Sequence, residues 1–136
     1  MIIAIRISGQ VGIKRPQKEG LDSLMLRKKY TGVLLSEKEV VKLNKVKELI
    51  TFGEIEEDTL KDLLAKRGRK DKKAISDVDK IVDGLKKGKK LKELGVTPYL
   101  RLHPPRGGFK KSTKLPYPKG ILGKNKDINK LVKRML

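Results

Sequence analysis

The stretch Arg101-Leu102-His103-Pro104-Pro105-Arg106-Gly107-Gly108-Phe109-Lys110-Lys111 concentrates more chemically capable side chains than any other part of the chain. Four cations and a histidine alternate with a stiff proline pair, two glycines that permit close backbone approach, and one ring able to stack. Such a set grips phosphates and stacks on unpaired bases. A bland reading, a strand end turning through Pro-Pro with Phe109 in the core, is compatible with it. Catalysis fits the sequence poorly. His103 is the only histidine and there is no cysteine, so a multi-ligand nitrogen or sulfur metal site has no raw material. Gly84-Leu85-Lys86-Lys87-Gly88-Lys89-Lys90 has too short a spacer and no hydroxyl for a phosphate loop, and Lys111-Ser112 follows Lys110 where that loop requires glycine. The carboxylates fall at helix starts or near lysines at helical spacing, the ordinary electrostatics of helices, and no catalytic pair stands out.

The composition turns this local pattern into a demand on a partner. In 136 residues, 35 are Lys or Arg and 16 are Asp or Glu, a formal charge of +19 and a pI near 10.2. Self-repulsion of that size disfavours a compact state unless a polyanion lies against it. The excess sits at the ends: 7 basic and 2 acidic groups in residues 1–30, 17 and 13 in 31–100, and 11 and 1 in 101–136, or net +5, +4 and +10. Contact with the polyanion is therefore expected mainly from the two ends, with the last segment ordering as it binds. No apolar run reaches membrane length, and the first residues lack the lead and cleavage site of a signal peptide, so a cytoplasmic protein without a membrane partner is expected. The absence of cysteine leaves the redox compartment open.

The elements that must position these groups can be read from periodicity. Ile3, Ile5 and Ile7 alternate with Ile2, Ala4 and Arg6 in a half-buried strand. A basic loop, Gly9 to Pro16, leads to a helix expected over about 17–29, with Leu21, Leu24, Met25 and Lys28 at helical spacing and Arg27-Lys28-Lys29 at its end. Thr31–Leu35 reads as the second strand. Ser36 and Glu39 form a capping box for a helix over about 37–50 that includes Val40, Leu43 and Ile50, with Gly53 ending it. Glu56-Glu57-Asp58 opens a third helix closed by Lys66-Arg67-Gly68. Ser76 and Asp79 start a fourth along Val78, Ile81, Val82 and Leu85, and Leu91–Gly95 adds a turn. After Pro98, Tyr99–His103 alternates as a third strand. Residues 104–125 are irregular, and Ile128, Leu131, Val132 and Met135 stripe a terminal helix that should dock on the rest.

The fold class that follows is α+β, a small three-stranded sheet with helices on one face, plus a basic extended C-terminal segment and terminal helix. Two parts are expected: a core at 1–103 and a basic extension at 104–136 whose helix packs back. The uncovered sheet face should gather Arg6, Tyr99, Arg101 and His103. The full set of candidate contacts adds Lys14, Arg15, Arg27, Lys28, Lys29, Arg67, Arg69, Arg106, Phe109, Lys110, Lys111, Lys114, Tyr117, Lys119 and Lys124. The runs Arg67–Lys73 and Lys86–Lys90 serve equally well as solvated loops.

Three blocks of sequence go further. Leu26-Arg-Lys-Lys-Tyr-Thr-Gly-Val-Leu-Leu, Lys45-Val-Lys-Glu-Leu-Ile-Thr-Phe-Gly-Glu-Ile and Arg101-Leu-His-Pro-Pro-Arg-Gly-Gly-Phe resemble the archaeal form of the ribosomal large-subunit protein L thirty family, related to eukaryotic ribosomal protein L seven. The helix ending Leu-Ala-Lys-Arg-Gly-Arg at Arg69 and the closing Lys-Arg-Met-Leu are similar as well, so the resemblance spans nearly the whole chain. It implies a β-α-β-α-β, ferredoxin-like core, no cofactor, no small-molecule substrate and no reaction, with binding to large-subunit ribosomal RNA and neighbouring ribosomal proteins as further partners. The chain departs from the family pattern at Val40-Val41-Lys42-Leu43, where the family often has Tyr-x-Gly-Met-Leu, and at Phe52, where it often has Trp. At the first departure a contact either passes to Lys38 or Lys42 or is missing. Two other classes compete: a DNA-architectural protein, which shares the phosphate chemistry but lacks a DNA-reading motif here, and an RNA-modifying enzyme, which lacks a catalytic constellation.

Overall fold

A computed structural model describes residues 2–7, 9, 12–70, 73–74, 77–109, 112–117 and 119–136. Elements run in the order β1 Ile2–Arg6, α1 Arg15–Ser23, β2 Thr31–Leu35, a 3₁₀ helix Glu37–Lys45, β3 Ile50–Glu54, α2 Glu57–Arg67, β4 Arg69–Lys70, β5 Lys73–Ala74, α3 Val78–Lys86, β6 Tyr99–Arg101, β7 Ser112–Pro116, β8 Gly120–Lys124 and α4 Ile128–Met135. The class is α+β, as the periodicity implies. The sheet is wider than the expected three strands: six strands lie in the order β6-β2-β1-β3-β8-β7, and β4 pairs with β5 in a separate ribbon.

β1 is antiparallel to both neighbours, with Ala4 opposite Val33 of β2 and Phe52 of β3. The chain leaves β2 at Leu35, opposite Ile2, and must begin β3 at Ile50, opposite Arg6, so the connection has to travel back along the length of β1. A 3₁₀ helix rises about 2 Å per residue against about 1.5 Å for an α-helix and covers that distance in fewer residues. This corrects the expected helix over 37–50. Its apolar line does run on into Ile50, but Ile50 opens a central strand. The capping box is there, with the Ser36 N–H donating to Glu39 Oε2 at 3.4 Å.

Helices cover both faces of the sheet, not one. Ile3, Ile5 and Ile7 pack with Leu63 of α2, Leu100 of β6 and Ile128, Leu131, Val132 and Met135 of α4. Ala4, Val33, Leu35 and Ile50 point the other way and bury Leu21 of α1 together with Leu43 and Val46. A third cluster joins Leu60 and Leu64 of α2 to Ile81, Val82 and Leu85 of α3. Each fully buried aliphatic side chain contributes about 1.5–3 kcal/mol. The stripe on α4 therefore docks firmly, in the place its spacing implied. β8 pairs parallel with β3 at Thr51–Gly123 and Phe52–Lys124. The close approach depends on Gly53, where a Cβ would lie 2.4 Å from the Asn125 carbonyl oxygen and 2.8 Å from Ile128. Gly53 is thus a strand residue that admits α4, not a helix terminator. Among the described residues no helix is long and apolar enough to cross a membrane.

Candidate nucleic-acid interface

The connection from α1 to β2 decides where the basic groups of the N-terminal half point. α1 ends six residues earlier than its apolar spacing suggests, at Ser23. Its end is a Schellman motif: the Leu26 N–H donates to the Leu21 carbonyl at 2.9 Å and the Met25 N–H to the Asp22 carbonyl at 3.1 Å. Leu21 and Leu26 are both fully buried and supply the hydrophobic contact that goes with the motif. Met25 takes the left-handed conformation this requires, φ 64°, and stays 40% exposed. Arg27, Lys28 and Lys29 are consequently loop residues facing solvent, not the last turn of a helix.

Arg6 lies beneath this corner. It was expected on an open cationic face; instead it is 3% exposed. One guanidinium nitrogen donates to the carbonyls of Leu26 at 2.8 Å and Arg27 at 2.7 Å, and another to Gly9 at 3.2 Å. Burial pulls its pKa down from the usual arginine value, and the Asp22 carboxylate opposes that shift. A side chain aimed at the α1 side of the sheet has no water to reach, so it serves the carbonyls that the α1–β2 connection turns inward. Arg6 is a structural cation that holds the corner carrying Arg27 and Lys28.

The pairing of β6 with β2 places Arg101 opposite Thr31 and Tyr99 opposite Val33, on the sheet face where α1 lies. α1 does not reach this edge, and a groove of about 310 Å³ remains, lined by Arg27, Lys28 and Arg101 around Met25, Thr31, Pro98 and Tyr99. The Arg101 guanidinium carbon lies 5.8 Å from the Tyr99 ring centre, a cation–π arrangement. No carboxylate belongs to this lining among the described residues. Met25 and Pro98 also line a second cleft, which continues past them between Lys42 of the 3₁₀ helix and Lys89, Lys90 and Lys92 after α3. Its one acid among the described residues, Glu39, is bridged to Lys90 at 3.0 Å. Burial alone would raise the Glu39 carboxyl, but the bond from Lys90, the Ser36 N–H and the Lys42 charge together hold it below its usual value. A cation-bordered channel with an apolar saddle thus runs along the β2–β6 edge.

The Arg101–Phe109 stretch is divided between two places. Tyr99 and Arg101 enter the groove. His103 lies beyond the strand end, exposed, its N–H donating to the Met135 carbonyl at 3.0 Å. Arg106 is exposed and its N–H bonds to the Arg134 carbonyl, while the Arg134 guanidinium donates to the carbonyls of Arg106, at 2.8 Å, and Gly108. Gly107 and Gly108 both have φ 75°, a conformation that keeps the loop tight against α4. Phe109 is half-buried on the opposite side of the sheet, its ring 6.2 Å from that of Tyr30, over which Lys29 sits at 5.1 Å. Both bland and chemical readings of the stretch therefore apply, to different residues.

Of the remaining candidates, Lys14, Arg15, Arg69, Lys119 and Lys124 are exposed, and Arg67 and Tyr117 are half-buried. Lys110, Lys111 and the Lys114 side chain lie outside the described residues, as does Ser76. Sequence reasoning missed Arg134, which positions the 103–108 loop, and Lys92 of the second cleft. It also missed Met25 as a site residue, having placed it only at helical spacing within the first helix. The Lys133-Arg134 pair at a helix end was the available signal for the first of these.

The fold and surface define a small basic α+β module with a cationic channel at one sheet edge and no cluster of three metal-ligating or acidic groups among the described residues. No family model matches the chain. It is 44% identical to the large ribosomal subunit protein uL30 of Staphylothermus marinus, an alignment covering 97% of this chain and 96% of that relative. It is 37% identical to the uL30 of Thermoplasma acidophilum, covering 100% and 93%, and 36% identical to that of Aeropyrum pernix, covering 97% and 96%. The chain belongs to the large ribosomal subunit protein uL30 family, a family of ribosomal proteins and not of enzymes.

Proposed function

We propose that the protein is a structural constituent of the large ribosomal subunit, in the cytoplasm, and that it holds ribosomal RNA through the β2–β6 channel and its basic loops and extension. The observation that carries this reading is the channel itself: Arg27, Lys28, Arg101, Lys42, Lys89 and Lys92 border one continuous surface where the single carboxylate among the described residues, Glu39, is already bridged. Phosphates entering it are met by these cations and release counterions from the RNA. The division of the chain at residue 103 is a division of labour in this reading. Residues 1–103 build the channel, and residues 104–136 carry the excess charge of the C-terminal end and buttress the channel through α4. Neighbouring ribosomal proteins are further partners in this reading. In this role it supports subunit assembly and translation through binding alone, without a cofactor.

The test is co-sedimentation of the full chain with ribosomal subunits across a salt series, followed by crosslink mapping on the particle that retains it. Retention on the large subunit with crosslinks from the 24–30 and 98–109 segments is expected. Release into the free-protein fraction at low salt, or preference for DNA, overturns the reading.

A further inference from the structure

We propose that the groove beside β6 receives a single unpaired nucleotide of the bound RNA, its base lodged against Met25, Pro98 and Tyr99 and its flanking phosphates held by Arg27, Lys28 and Arg101. The proposal rests on the ribosomal RNA reading and names the kind of RNA element this part of the channel takes. A phosphate backbone passing over a surface asks only for cations, yet this groove keeps Met25 40% and Tyr99 37% exposed between its cations. Exposed apolar and aromatic surface bordered by positive charge matches a splayed-out base, which offers a stacking face between two phosphates. The groove is large enough for a base and too small for a helix. The guanidinium of Arg101 beside the Tyr99 ring supplies a preformed stack that a base can join. Buried Thr31 adds a hydroxyl-bearing side chain to the lining.

Met25 adds an independent argument. The left-handed position of a Schellman motif is normally filled by glycine, because any Cβ is strained there. Helix termination alone would be served better by glycine, and the core gains little from a side chain that remains this exposed. What the side chain does accomplish is to form the saddle shared by both clefts, where a soft, unbranched thioether can pack against a planar ring.

The experiment uses the full chain and two RNA hairpins of one stem sequence, one carrying a single bulged 2-aminopurine and the other the same base paired. Binding is followed by anisotropy and by 2-aminopurine emission. The wild-type protein is expected to prefer the bulged hairpin by about five- to a hundredfold, the range for one stacked base, with emission quenched on binding. Tyr99→Phe keeps the preference. Tyr99→Ala brings it close to one while affinity for the paired hairpin stays the same. Met25→Gly lowers the preference and, by relieving the left-handed strain, raises Tm by a few degrees. Equal affinity of the wild-type protein for both hairpins, unquenched emission, or an unchanged preference in Tyr99→Ala overturns the pocket while leaving RNA binding standing. Binding to neither hairpin at about 50 mM salt overturns the RNA reading along with it.

Discussion

The α2–α3 side and the β2–β6 edge are built from the same kinds of residues, lysines and arginines over a leucine-rich interior, and they treat those charges in opposite ways. On the first, Glu57 bridges Lys86 at 2.8 Å and Lys61 at 3.6 Å, and Lys61 also approaches Asp79 at 3.8 Å. On the second, among the described residues, three cations line a groove with no carboxylate beside them, and the continuation holds four lysines against one glutamate. Where a surface carries its own counterions it is complete when folded. Where cations outnumber the described carboxylates, the excess favours an anionic partner, and total charge alone cannot say which surface is which. Exposed ion pairs are worth little to stability, so the pairs on α2 and α3 matter here mainly because they remove that side from competition for phosphate.

The comparison can be broken most forcefully from below. Arg6→Met removes the donor to three inward carbonyls and should cost about 3 kcal/mol or more, because unpaired buried acceptors carry their full desolvation penalty. Denaturant titration measures it, and a cost under about 1 kcal/mol would show that the corner stands without its cation. A smaller effect of a different kind follows from converting Lys28 and Arg101 together to Ala. Tm should hold, while the slope of log affinity against log salt for RNA falls by about 2, one contact each. Next, Arg134→Gln loosens the 103–108 loop from α4 and should cost about 1 kcal/mol, with faster amide exchange at Arg106 than at the β1 amides.

Acid titration gives the smallest change and separates the two regions again. The carboxyls of Glu39 and Glu57 are both held below their usual value of 4.5: for Glu39, Lys90 and the Ser36 N–H outweigh burial, and for Glu57 the bond from Lys86 is the main cause. A depressed carboxyl stabilises the fold above its unfolded pKa, and that contribution disappears as pH falls through the lower folded value. Tm should therefore decline slightly more between about pH 4.5 and pH 3 in the wild type than in Glu39→Gln. Lys86, raised chiefly by its bond to Glu57, loses its contribution only as pH climbs past the usual lysine value.

How much of this could be read in advance depended on whether an element's signal was local. The period-two run of β1, the acidic start and basic end of α2 and the stripe of α4 are written in neighbouring residues, and they were legible. β3 was not, because Leu43, Val46 and Ile50 keep a helical line up to the point where the chain turns into the strand. β8 exists as a strand only through its pairing with β3 and β7, and Gly120-Ile121-Leu122-Gly123-Lys124 has little strand character alone. The candidate site shows the same limit. Tyr99 and Arg101 were found together because they alternate on one strand, but their joining to Arg27 and Lys28 needed the β2–β6 pairing, and Arg6 was misplaced because its burial depends on a loop twenty residues away.

The measurement closest to the central claim is salt-dependent co-sedimentation with large subunits for two variants that remove the same charge from the two regions, Lys28→Ala with Arg101→Ala and Lys61→Ala with Lys86→Ala. The account predicts that the first pair releases at distinctly lower salt than the wild type and that the second releases where the wild type does. Equal weakening by both pairs would contradict it, leaving net charge, and not the cation-lined channel, as the basis of binding.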